Sequence, residues 1–204
     1  MPAARRYYIF RHGSTLTDKP RFFSGGSDVP LAPEGRRQSA RIVDLLASLG
    51  VEAVWSSDLA RARETAMAAA ARAGVPHRVL GDLGEIRAGA WEGLTFEEAS
   101  ARFPREAAAY LASWHDFAFP GGEGFASLFA RALAAFEDVR GATSGRAGIV
   151  THSGVIRAIA AGVLGADAAA MMGLDPAYGS MTRIDEAEDG RLYLRSFGVV
   201  SHLE

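Results

Sequence analysis

Two histidines of the 204-residue chain sit in the same local pattern. His12 follows the apolar run Tyr7-Tyr8-Ile9-Phe10, with Arg11 before it and Gly13 after it. His152 follows Gly148-Ile149-Val150-Thr151 and precedes Ser153-Gly154. A histidine at a strand end can serve as nucleophile, base or metal ligand. The glycines let an anion approach the backbone, and the N–H groups of a starting helix attract one. A single histidine in such a turn is as readily a surface residue. Two of them, 140 positions apart, are a stronger signal, because the strands of one sheet bring their ends together.

Arg61 falls in the first turn of a helix-forming stretch, after Ser56-Ser57-Asp58. A cation there opposes the helix macrodipole, so its presence invites an anion. Arg63 and Glu64 read as exposed helix charges. Glu85 lies in the glycine-rich loop Leu83-Gly84-Glu85-Ile86-Arg87-Ala88-Gly89-Ala90-Trp91-Glu92-Gly93, where Glu92 is also a candidate carboxylate. No histidine pair has metal-ligand spacing, and no phosphate-binding loop or dinucleotide fingerprint is present. His77, His115 and His202 lack a flanking pattern and read as structural or surface residues.

The elements that must position these residues alternate. Strands are predicted at Tyr7–Phe10, Val51–Trp55, His77–Leu80 and Gly148–Thr151. Helices are predicted at Pro33–Leu49, Leu59–Ala73 and Val155–Leu164, and over most of Thr95–Arg140, including Phe125–Val139. Thr95 with Glu98 has capping-box spacing. Ser180–Ile184 and Leu192–Phe197 read as a hairpin across Asp189-Gly190. Such alternation gives an α/β fold, with a mostly parallel sheet and helices on both faces. The hairpin adds an antiparallel strand or two. Ligands of such sheets bind beyond the carboxyl ends of the strands, which is where both histidine turns, Ser56-Ser57-Asp58 and the approach to Glu85 fall.

Composition narrows the class. Apolar residues make up 49% and charged residues 23%, which suits one soluble globular domain. The net charge is −2, from 22 basic and 24 acidic residues, so no nucleic-acid partner is expected. There is no cysteine, hence no disulfide, thiolate nucleophile or thiolate metal site. Residues 1–10 have no signal-peptide core and no apolar run has membrane-spanning length. A cytoplasmic protein without a membrane partner is expected.

The ordered motifs resemble the histidine phosphatase superfamily, the phosphoglycerate-mutase-like proteins. They are Arg11-His12-Gly13-Ser14-Thr15, the Gly25–Leu31 stretch, Ser57-Asp58-Leu59-Ala60-Arg61-Ala62-Arg63-Glu64-Thr65-Ala66, Glu85 with Gly89-x-Trp91-Glu92-Gly93, Pro120-Gly121-Gly122-Glu123, and Val150-Thr151-His152-Ser153-Gly154-Val155-Ile156-Arg157. The resemblance runs from Tyr8 to about Phe197. It implies a three-layer α/β/α sandwich with an antiparallel edge strand, a single domain over 1–204. A helical specificity segment at about 94–140 would lie over the site.

The resemblance also implies roles. His12 is the nucleophile that takes the phosphoryl group. Arg11, Arg61 and His152 bind its oxygens, with Ser24, Gly25, Ser153 and Gly154 adding hydroxyl or backbone contacts. Glu85 is the general acid and then the base. No metal and no cofactor are implied. The implied activity is hydrolysis of a small-molecule phosphate ester. Trp114–Phe125 resembles the middle of α-ribazole phosphatases, which points to α-ribazole 5′-phosphate in cobalamin synthesis. The alternatives are a broad-specificity phosphatase, a phosphoglycerate mutase and a non-catalytic phospho-ligand-binding module. Phe103, Tyr110, Trp114, Phe117 and Phe119 either stack on a substrate base or pack the core, with packing the stronger expectation. A homodimer is the base-rate oligomer. Three positions depart from the family pattern: Ser14 where Glu is common, Asp18 where Asn is common, and Gly84 where Arg often precedes the acid.

Overall fold

The computed structural model describes residues 4–16 and 23–204; Asp18 lies outside them. The elements run β1 (Arg5–Arg11), α1 (Pro33–Ser48), β2 (Ala53–Ser56), α2 (Ala60–Ala73), β3 (His77–Val79), α3 (Phe96–Arg102), α4 (Pro104–Ala112), α5 (Phe125–Gly141), β4 (Arg146–Thr151), α6 (Ser153–Val163), β5 (Met181–Glu186) and β6 (Leu192–Val199). The strands form one sheet in the order β3-β2-β4-β1-β5-β6. The first four are parallel, whereas β5 and β6 are antiparallel. The closing hairpin therefore contributes two antiparallel strands, with β6 at the edge.

Local chemistry accounts for the element ends. Pro33 starts α1, where the missing N–H has no intrahelical partner to lose. The alanine-rich α2 stops at Gly74, which takes the left-handed conformation (φ +69°). Thr95 and Glu98 form the reciprocal capping box at α3. α6 begins at Ser153, two residues earlier than the sequence pattern suggests, with His152 as its N-cap residue. Its first turn thus directly follows the histidine.

The pleat of β1 sorts its side chains to two faces. Tyr7 and Ile9 join the core that holds Leu128 and Phe136 of α5 and Val155 and Ile159 of α6. Tyr8 and Phe10 join the core built with Ile42 and Leu46 of α1 and Ala62, Ala66 and Ala69 of α2. Parallel pairing of β1 with β4 sets Arg11 beside Thr151. The next residues along are His12 and His152. On the other flank of β4, Ser56 pairs with Val150, which brings Ser57 toward the same end. On the other flank of β1, Phe10 pairs with Met181, so the turn before β5 runs beside Arg11 and His12.

Candidate active site

His12 is 5% exposed at the mouth of β1. Its Nδ1 lies 2.7 Å from the carbonyl oxygen of Gly13. A carbonyl only accepts, so Nδ1 carries the hydrogen and Nε2 keeps a lone pair. Arg61 Nε donates to that Nε2 across 3.3 Å. Burial, then the charges of Arg61 and Arg11, push the imidazole pKa down to about 3. The ring is neutral at physiological pH, and a neutral Nε2 is a competent nucleophile.

The His152 ring packs edge-on against His12, with centroids 4.9 Å apart. It is fully buried. Its Nε2 lies 2.7 Å from Ser57 Oγ, and its Nδ1 has no partner among the described residues. Burial first, then His12 and the two arginines, holds its pKa well below the usual histidine value. His152 is not itself among the residues that border the cavity, but its ring packs directly on His12, which is.

Arg61 emerges from the first turn of α2 and is 3% exposed. Its Nη1 donates to Ser27 O at 2.6 Å, and its Nη2 to Gly25 O at 3.0 Å and Ser24 O at 3.4 Å. Three backbone carbonyls thus orient a guanidinium whose ordinary partner would be a carboxylate. Arg11 donates from Nη1 to Pro176 O at 2.7 Å, and its Cζ lies 3.7 Å from the Tyr178 ring centroid. Its buried Nε has no partner among the described residues. Burial lowers both arginine pKa values from 12.5, yet both remain cations. Two desolvated positive charges beside a neutral imidazole make a strong anion field.

Glu85 stands across the cavity. The Gly154 N–H, at the start of α6, donates to both its oxygens at 3.1 and 3.2 Å, and the Ile86 N–H donates at 3.0 Å. A carboxylate at a helix N-terminus is favourably placed. Glycine at 154 leaves room for this carboxylate, since a Cβ there would push the end of the Glu85 side chain aside. The loop behind Glu85 is braced by Arg131, which donates to Asp82 O and Gly84 O at 2.5 and 3.0 Å. The same guanidinium grips buried Glu123 through two bonds of 2.8 Å. Thr151 ties this loop to β4 by donating to Leu83 O at 2.6 Å.

These groups open on one cavity of about 250 Å³. Arg11, His12, Arg61 and Glu85 form its polar end. Phe119, Phe125, Leu128, Met171, Met172 and Tyr178 are among the residues of its outer wall. No three His, Asp or Glu side chains converge as a metal site among the described residues. No described helix is long and apolar enough to cross a membrane.

The sequence profile of the histidine phosphatase superfamily (branch 1) matches residues 7–198. The chain belongs to that superfamily. As a histidine phosphatase it is a phosphomonoester hydrolase. A metal-independent phosphoserine phosphatase of Arabidopsis thaliana is 31% identical, over 96% of this chain and 82% of its own. An adenosylcobalamin/α-ribazole phosphatase of Salmonella typhimurium is 30% identical, over 90% and 91%. A mycobacterial glucosyl-3-phosphoglycerate phosphatase, solved with vanadate, superimposes with a TM-score of 0.83 at 28% identity, covering 97% of this chain and 100% of that one.

In this histidine phosphatase the expected site residues converge, with informative exceptions. Ser24, Gly25, Ser153 and Gly154 all border the cavity. The Gly154 N–H, expected to face an anion, is taken by Glu85. Gly13, expected to admit an anion, instead admits helix α1, since a Cβ on it would collide with the Gly35 backbone. Glu92 accepts from the Gly26 and Ala88 N–H groups and the Ser27 hydroxyl at 2.7–2.8 Å, so it organises loops. Phe117 and Tyr110 pack around buried Trp91, while Phe119 both packs and borders the cavity. Sequence reasoning missed Ser57, Arg131 and Tyr178 as parts of the site. Ser57 opens the motif that carries Arg61, but nothing in the sequence marks its hydroxyl as the partner of His152.

Proposed function

We propose that this phosphatase hydrolyses small-molecule phosphomonoesters through a covalent phosphohistidine at His12. The observation that carries the reading is the hydrogen bond from His12 Nδ1 to Gly13 O, which leaves a neutral Nε2 beside Arg61 in the cavity. The Nε2 lone pair attacks phosphorus and the P–O bond to the alcohol breaks. Glu85, protonated for this step, gives its proton to the departing oxygen. Glu85 then takes a proton from water as the water oxygen attacks phosphorus. The P–N bond breaks and inorganic phosphate leaves. Arg11 and Arg61 hold the non-bridging oxygens, where charge stabilisation dominates the chemistry. His152 supplies a further donor through its unpartnered Nδ1. Ser24, Gly25 and Ser153 complete the phosphoryl cradle.

The 94–140 segment selects the alcohol, because Phe119, Phe125 and Leu128 of the outer wall come from it. α-Ribazole 5′-phosphate is the leading substrate. The apolar wall suits a planar base, Trp114–Phe125 resembles the corresponding segment of α-ribazole phosphatases, and the Salmonella relative carries that name. The deciding experiment measures phosphate release in EDTA by wild type and His12→Ala. The panel holds α-ribazole 5′-phosphate, phosphoserine, 3-phosphoglycerate, nucleoside monophosphates and an aryl phosphate, with acid quenching to trap the phosphoenzyme. The reading expects His12-dependent release and an acid-labile phosphoenzyme. Phosphoglycerate interconversion faster than release would show a mutase, and binding without turnover a non-catalytic module.

A further inference from the structure

The segment from Asp175 to Ser180 lies along the end of β1, against Arg11 and His12, and the Tyr178 ring stands 5.7 Å from the His12 ring. Pro176 O accepts from Arg11 Nη1 at 2.7 Å, and the Tyr178 ring stacks on the same guanidinium at 3.7 Å. The Gly179 N–H donates to His12 O at 3.1 Å, and Ser180 O accepts from the Arg11 N–H at 3.0 Å. The two contacts to the Arg11 side chain are unusual supports for a phosphate-binding arginine, since neither is ionic. They orient the guanidinium without neutralising it.

This strap has an outer fastening. Arg157 of α6 donates from Nη2 to Asp175 Oδ1 at 2.7 Å. Its Nη1 lies 3.6 Å from the Met172 sulfur. The Asp175 side chain is 84% exposed and does not border the cavity, whereas Arg157 is 19% exposed and does. It immediately precedes Pro176, whose carbonyl holds Arg11. The far end of the strap is held separately, by His202 Nε2 donating to Gly179 O at 2.9 Å.

We propose that Arg157 and Asp175 are positioning residues: their ion pair fixes the Pro176 carbonyl and the Tyr178 ring, which in turn aim Arg11 at the phosphoryl oxygens. The inference rests on the reading that Arg11 binds the anion. An ion pair whose carboxylate is open to solvent contributes little to stability. Its loss therefore shows in anion affinity rather than in melting temperature. A chain of this kind is non-additive, because removing one link makes the next removal cheap.

The test is inorganic phosphate binding by calorimetry to wild type, Arg11→Lys, Asp175→Ala, Arg157→Gln and the doubles of Asp175→Ala with each arginine variant. Asp175→Ala is expected to weaken binding about tenfold in wild type, and less than about twofold in either variant background. Melting temperature should stay unchanged, and Asp175→Glu should recover most of the affinity. Asp175→Asn serves as a second variant that keeps the side-chain volume. An equal loss in all backgrounds, or no loss in wild type, would overturn the proposal. If Arg11→Lys itself binds phosphate as tightly as wild type, the fault lies with the anion-binding role of Arg11, and the strap proposal falls with it.

Discussion

Arg61 Nε directs its hydrogen at His12 Nε2 from 3.3 Å, while three of the four remaining donors of the same guanidinium go to the Ser24, Gly25 and Ser27 carbonyls. One cation thus orients the His12 imidazole and, in the proposed mechanism, faces the position where phosphoryl charge develops. Lysine cannot reproduce this fork. Arg61→Lys is expected to lower kcat/KM by about 10²–10³-fold, comparable to losing an oxyanion donor. Steady-state kinetics on an aryl phosphate would check it, and a loss under about threefold would contradict the role.

In the proposed mechanism Glu85 faces a leaving group whose need for a proton varies. An alkoxide needs one, whereas a nitrophenolate does not. Glu85→Gln should therefore cut turnover of an alkyl phosphate by about 10²–10⁴-fold and that of p-nitrophenyl phosphate much less in the step that forms the phosphoenzyme. Phosphate affinity should change little. Pre-steady-state bursts with the two substrates would separate the steps, and equal losses for both would count against the acid role.

The buried neutral histidines make stability depend on pH. The folded His12 pKa of about 3 lies below the unfolded value of about 6.5. Between those values the unfolded chain binds more protons. Its share of stability is complete above pH 6.5 and declines as pH falls toward 3. By pH 4 that share has fallen by about 3 kcal/mol, at about 1.4 kcal/mol per pH unit. His152 acts in the same direction. Melting temperature should drop between pH 7 and 4, less steeply in His12→Asn. Parallel slopes would show that His12 is not held neutral by the fold.

Ser57 Oγ sits 2.7 Å from His152 Nε2. If the hydroxyl donates there, Nδ1 must carry the hydrogen and can donate to an anion. Nitrogen NMR of the His152 ring should show the Nδ1–H tautomer in wild type and a mixture in Ser57→Ala. Phosphate affinity should fall about tenfold in that variant, as expected for a hydrogen bond to a charged ligand, and recover in Ser57→Thr. An unchanged tautomer would assign Ser57 to packing alone.

Much of this arrangement was readable because it follows local rules. The apolar runs before His12 and His152 are β1 and β4, the capping box at Thr95 holds, and Gly190 takes φ +80° in the hairpin turn. The remainder depends on register and on distant pairs. Ser56 ends β2 and Ser57 follows it, and only the pairing of Ser56 with Val150 shows which of the two meets His152. Glu85 and Glu92 were equivalent as loop carboxylates. Three donors from neighbouring loops occupy Glu92, whereas Glu85 reaches Gly154, 69 residues away. The brace of Arg131 on Glu123 and Gly84 leaves no local trace at either end.

The pairing of Arg11 with Thr151 has a consequence for how such a protein can be changed. The imidazoles just beyond that pair are 4.9 Å apart, which matches the gap between neighbouring strands of a sheet. The backbone ladder acts as a ruler for the reacting end, and no loop length enters into it. Insertions, deletions and exchanged side chains in the 94–124 stretch can reshape the chamber for a different alcohol while that ruler keeps its scale. Retargeting the enzyme is then a task of surface carpentry, carried out on a frame whose critical dimension is already set.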